Sequence, residues 1–157
     1  MSYKNFKKAI ELAKKCDGYL TGTGIPENVI KDAECKLNVQ FSKQLTLYLT
    51  KNGFIEYDGC EIYGIIKTDF SAIPEGSIVE SCMYYRKKNN LPRNWLPIYN
   101  YNDGYMAFLD YGDLNEEQEP KVIMGIYTGE QYEKTNNLAE DFGDFILSLV
   151  EEQLANQ

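Results

Sequence analysis

The chain has 157 residues, 43% of them hydrophobic, and a formal net charge of -8. That length fits one domain spanning residues 1–157 with a real core, and the apolar content excludes an intrinsically disordered chain. The negative charge argues against nucleic acid as a partner, and with no histidine in the sequence, Ser–His and Cys–His catalysis are excluded.

A polar, lysine-rich stretch opens the chain from Met1 to Lys15. It has no apolar run of the kind a secretion signal needs, and no stretch approaches the ~18 apolar residues of a membrane helix. The expectation is a cytoplasmic protein that does not bind a membrane. Ser2 is a candidate cap for a first helix reaching about Cys16, with Phe6, Ala9, Ile10 and Ala13 as its apolar stripe. Residues 18–24 are rich in Gly and Thr and predict a loop or a short extended piece. A second helix starts near Pro26, buries Val29, Ile30, Ala33 and Leu37, and stops at Asn38. A third follows the cap residue Ser42, turns Leu45, Tyr48 and Leu49 inward, and ends at Asn52-Gly53.

The period then changes. Phe54–Tyr57 and Glu61–Ile66 read as strands about the hairpin turn Asp58-Gly59. After a loop over 67–77, Ile78–Lys88 reads as a helix capped by Ser77. Leu96–Tyr101 and Tyr105–Tyr111 are strands joined through Asn102-Asp103-Gly104. The stretch 113–119 reads as a solvated acidic loop and Val122–Tyr127 as the last strand. Leu138–Leu154 reads as a closing helix with Phe142, Phe145, Ile146 and Leu149 on its stripe. This order predicts an α+β domain: an antiparallel sheet with helices packed on one side, N-terminal helices first and a C-terminal helix to close it.

The sequence carries little catalytic chemistry. Cys16, Cys35, Cys60 and Cys82 form no C-x-x-C pair and, without histidine, make no zinc site; they read as reduced thiols. Thr21-Gly22-Thr23-Gly24 precedes a helix as phosphate loops do, but Ile25-Pro26 follows where a P-loop needs Lys-Ser/Thr. No calcium-loop register fits around Gly104 or Gly112. The expectation is therefore no catalytic residue, no cofactor and no metal.

Charge and tyrosine are the informative features. Residues 1–100 carry fourteen Lys+Arg against eleven Asp+Glu, whereas residues 101–157 carry only Lys121 and Lys134 against thirteen acids. There are 13 tyrosines, and Tyr99, Tyr101, Tyr105 and Tyr111 crowd one hairpin. Alternation puts Tyr105, Ala107, Leu109 and Tyr111 on one face of their strand and Met106, Phe108 and Asp110 on the other. Such rings serve equally as a partner surface or as core beneath the helices. The candidate partner-binding set is Tyr99, Tyr101, Asp103, Tyr105, Asp110, Tyr111, Asp113, Glu116, Glu117 and Glu119, facing a basic protein.

Several motifs together resemble the SUKH superfamily, which includes the yeast Knr cell-wall regulator and many bacterial immunity proteins. They are Ile25-Pro26, Ile30-x-x-x-Glu34-x-x-Leu37, Val39-x-Phe41-Ser42-x-x-Leu45-x-x-Tyr48-Leu49, Gly59-Cys60-Glu61-Ile62-Tyr63-Gly64 and Trp95-Leu96-Pro97-Ile98, with the closing Phe142-x-x-Phe145-Ile146. Phe41-Ser42 stands where the family often has Leu-Pro, and Phe54 where it has a second glycine. The resemblance spans about residues 20–150. It implies a non-enzymatic antitoxin, a monomer or weak dimer that binds and neutralises a cognate toxin, often a nuclease. The alternative it implies is a regulatory or scaffolding module that binds a host protein. Glu34 reads as a folding residue at a partly buried helix edge, and Glu61 is left without a role.

Overall fold

The computed structural model describes residues 2–156, and the expected cap at Ser2 lies outside the described side chains. Helix α1 (Ser2–Ala13) buries Phe6, Ala9 and Ala13 of the predicted stripe, while Ile10 is half-buried. A two-residue strand β1 (Leu20–Thr21) precedes α2 (Glu27–Leu37) and α3 (Lys43–Lys51). Asn38 ends α2 in the left-handed conformation at φ 54, and the Ser42 side chain caps α3 by accepting from the Leu45 N–H. Glu34 ties the two helices together: its carboxylate accepts the Phe41 N–H at 2.7 Å.

Strands β2 (Ile55–Tyr57) and β3 (Cys60–Ile62) form the predicted hairpin, and β1 pairs with β2. Helix α4 (Ile78–Asn89) leads into β4 (Trp95–Asn100), β5 (Tyr105–Leu114), β6 (Pro120–Tyr127) and β7 (Tyr132–Ala139), an antiparallel meander. Helix α5 (Phe142–Ala155) closes the chain. The mixed α+β architecture is the expected one. A bulge in β4 links the two sheets. The register slips between Pro97 and Tyr99, and the freed Ile98 carbonyl accepts the Tyr63 N–H at 2.9 Å.

The two faces of the meander are built differently. Leu96, Ala107, Leu109 and Val122 are fully buried on one face, where Tyr99 meets Phe145 of α5. Behind them Phe6, Tyr48 and Phe142 of three separate helices join rings at 5.1–6.5 Å between centroids. The opposite face is dried mainly by its own aromatics: Trp95, Phe108 and Tyr132 touch one another, and α4 adds Tyr85 against Tyr132. Phe108 is fully buried there.

Four local expectations are corrected. Val122–Tyr127 is not the last strand, because β7 follows it as an edge strand whose middle, residues 133–137, is polar and exposed. Without alternating apolar residues it carries no period-2 signal, and its pairing with β6 is what makes it a strand. The closing helix accordingly starts at Phe142, capped by Asp141, rather than at Leu138; its buried stripe includes Leu147 and Val150, while Leu149 is half-buried. Ser77 precedes α4 but makes no capping bond, and its hydroxyl is buried without a partner. Strand β3 ends at Ile62, beyond which Gly64 makes only a bridge to Ser77.

The glycines have packing roles. A Cβ on Gly24 would lie 2.2 Å from the Thr50 carbonyl oxygen, and one on Gly64 would lie 1.8 Å from the Gly53 carbonyl oxygen. Three chain segments meet there backbone to backbone. The Thr21–Gly24 loop thus faces carbonyl oxygens at the end of α3, a surface that repels phosphate.

Candidate functional site: an acidic groove at one end of the sheet

The β5–β6 hairpin and the start of α5 enclose a groove of about 460 Å³. Glu116, Glu117, Glu140, Asp141 and Asp144 line it with Asn5 and Leu114, and its one lining cation is Lys121. Lys121 already pairs with Asp113 at 3.4 Å, so the groove keeps a strongly negative field.

Asn115 organises the hairpin tip. Its side-chain oxygen accepts the N–H groups of Glu117 (2.8 Å) and Glu119 (3.0 Å), and its Nδ2 donates to the Glu140 carbonyl at 2.9 Å. On the other wall Asp141 caps α5 by accepting the Asp144 N–H at 2.9 Å, and the Asp144 carboxylate accepts from Asn5 Nδ2 at 2.7 Å. The rim is therefore tied to the scaffold on both sides. Among the lining residues Leu114 is 42% exposed, an apolar foot beside the acids.

The predicted site residues divide between the two ends of β5. Asp110, Asp113, Glu116, Glu117 and Glu119 lie toward the groove; Tyr99, Tyr101, Asp103 and Tyr105 lie around the β4–β5 turn. At ~3.4 Å per residue the length of β5 separates these ends by about 30 Å. A partner touching both must lie along the whole strand.

Within each group the side chains differ in availability. Glu116 and Glu117 are exposed and Asp113 is half-exposed. Glu119, expected on a solvated loop, is instead buried beside the start of α3. Burial holds its carboxyl above the usual range, although the Ser42 side chain and the Gln44 and Lys43 backbone pull it back down. Asp110 accepts the Gly112 N–H at 2.9 Å where the β5–β6 register shifts, and Asp103 accepts the Tyr105 N–H at 3.0 Å in the β4–β5 turn, so both carboxylates brace the backbone. The Tyr111 hydroxyl accepts the Ser42 N–H at 3.0 Å, and burial pushes its pKa up to about 12. Tyr99 stacks edge-on with Tyr101 and Phe145. Burial, then Glu152 and Asp103, raise Tyr101 to about 12. These rings lean on the helical side as well as edging the surface.

Sequence reasoning missed Glu140, Asp141, Asp144 and Asn5. The legible signal was Asp141-x-x-Asp144 ahead of the apolar run, a helix-start pattern hidden by placing the helix start at Leu138. Two of the four thiols, Cys16 and Cys82, are buried and placed against nucleophilic chemistry. All four are free, Cys82 is pushed up to about 11 by burial, and Cys16 is raised by burial and by Asp58. Among the described residues no group of three His, Cys, Asp or Glu could hold a metal ion, and no helix is long and apolar enough to cross a membrane.

The family model described as SMI1-KNR4 cell-wall, SUKH_5, matches residues 7–151. The chain belongs to the SUKH family. No curated protein matches it significantly. SUKH domains are known in immunity proteins and the family is generally non-catalytic. The SUKH match runs from α1 into α5, so it takes in both walls of the acidic groove.

Proposed function

We propose that this SUKH domain is an immunity protein that neutralises a cognate bacterial toxin, of nuclease type, by direct contact and without catalysis. The observation that carries this reading is the acidic groove on a rigid rim. Nuclease domains are basic where they hold phosphate, and an acidic inhibitor meets such a face quickly through electrostatic steering. The contact centres on Asp113, Glu116 and Glu117, with Asp110 beside them. The β4–β5 turn, with Tyr99, Tyr101, Asp103 and Tyr105, extends the surface for a partner that lies along β5.

Affinity capture from the native host at low and high salt tests this. Capture of a larger protein with a C-terminal toxin domain, released at high salt, is the expected result. Reversing the charge of Asp110, Asp113, Glu116 and Glu117 should then slow association with the purified toxin at least about tenfold at low salt. An unchanged rate rules out this interface. The family description, SMI1-KNR4 cell-wall, favours a second reading, a scaffolding module for a host protein. Capture of host proteins alone would select it.

A further inference from the structure

A smaller pocket, of about 170 Å³, opens where the β2–β3 hairpin, the segment before α4 and the β4–β5 turn meet. Glu61, Tyr63, Glu75, Tyr99, Asn100 and Asn102 line it. Ile62 points into the core and Glu61 points outward from β3, while Tyr63, one residue past the strand, lines the pocket from within. Gly76, at φ +87, turns the chain beside the Glu61 carboxylate in a conformation that favours glycine.

Two features of this pocket point to a ligand. Glu61 and Glu75 place two exposed carboxylates at its mouth, and among the described residues neither has a salt bridge. Burial, Glu56 and Glu75 all push the Glu61 carboxyl above its usual range. The second feature is Tyr63, only 1% exposed, whose hydroxyl completes no hydrogen bond. The Gly76 backbone and the Asn100 side chain are near enough to temper its raised pKa, but neither closes a bond of regular geometry. A buried polar group left unsatisfied destabilises the fold, and a ligand that supplies the missing partner relieves it.

Size and charge define that ligand. The cavity falls below the ~300 Å³ at which small-molecule sites begin, so it excludes nucleotides and sugars and holds one side chain. Its field selects a cation. Two carboxylates, a phenol oxygen and two amides offer acceptors from several directions, which suits a planar guanidinium with five donors better than a compact ammonium. The Tyr99 ring at the wall adds a face on which a guanidinium stacks.

We propose that the pocket between Glu61 and Glu75 is a socket for a single arginine side chain of a partner protein, with the Tyr63 hydroxyl as one of its acceptors. The socket is separate from the acidic groove and stands whatever that groove binds.

The test is a ¹⁵N–¹H titration of the full chain with Nα-acetyl-arginine amide, beside the lysine amide and the neutral citrulline amide. Saturable shifts at Gly59, Glu61, Asn100 and Asn102 are expected in the roughly 1–10 mM range of a few charge-assisted bonds. Citrulline should bind at least tenfold more weakly, and lysine more weakly than arginine. The double variant Glu61→Gln, Glu75→Gln should lose at least tenfold in affinity. Tyr63→Phe keeps the packing, so it should hold or raise the melting temperature while weakening the arginine probe at least threefold. No saturable shifts, equal binding of citrulline or lysine, or unchanged affinity in either variant overturns the socket.

Discussion

The two faces of the β4–β7 meander reach dryness by different means. On the helical face Leu96, Leu109 and Val122 are fully buried, Tyr99 meets Phe145 of α5, and Phe6, Tyr48 and Phe142 lock three helices together. On the other face Phe108 is equally buried, yet its cover is mainly Trp95 and Tyr132 from the neighbouring strands. A helix layer covers a face with whole turns of apolar side chains; a strand-borne cover is one ring thick and half-exposed. The first face should behave as the structural centre and the second as a surface that can be remodelled.

The largest effect should come from Phe142→Ala. The ring is fully buried among Phe6 and Tyr48, and its loss should cost about 3–5 kcal/mol in denaturant unfolding. Trp95→Ala on the other face should cost less, about 2 kcal/mol, because the indole is only partly buried and solvent already reaches it. Equal losses at the two sites would break the comparison. Tyr111→Phe sharpens it at the boundary. It removes the acceptor of the Ser42 N–H, and the orphaned donor should cost about 1–2 kcal/mol by thermal or chemical unfolding.

The smallest effect concerns Glu119, and its sign depends on pH. Burial raises its carboxyl pKa in the folded state above the ordinary 4.5, so the ionised form is penalised by folding. Below about pH 4.5 the group is protonated whether folded or not, and Glu119→Gln should leave stability unchanged. As pH rises through the folded pKa the parent loses stability and the variant does not, so the variant should melt higher at neutral pH. A variant that melts lower at pH 7 would show that the start of α3 needs the charge more than burial opposes it.

Much of this architecture was legible from local chemistry. The Ser42 cap, the left-handed Asn38 and the Asp58-Gly59 hairpin each depend on residues within a few positions of one another, and each stands as read. Strand β7 was illegible because nothing in Tyr132–Ala139 alternates; its structure is imposed by β6. That omission displaced the start of α5 and hid the second wall of the acidic groove. The tyrosines were half legible. Strand alternation separates their faces, but only the fold shows that Tyr111 is committed to Ser42 and that Tyr99 and Tyr101 lean on α5. Glu61 had no role in the sequence because its neighbours Glu75 and Tyr99 come from distant segments.

The backbone junction at Gly24, Gly53 and Gly64 sets the terms on which this domain can change. A side chain added at Gly24 or Gly64 collides with a carbonyl within 2.2 Å, whereas Glu116 and Glu117 meet solvent. Drift is therefore costly where three strands of main chain cross and cheap at the groove rim. A lineage built on this scaffold can rewrite a handful of rim residues, while the crossing point keeps every descendant in the same fold.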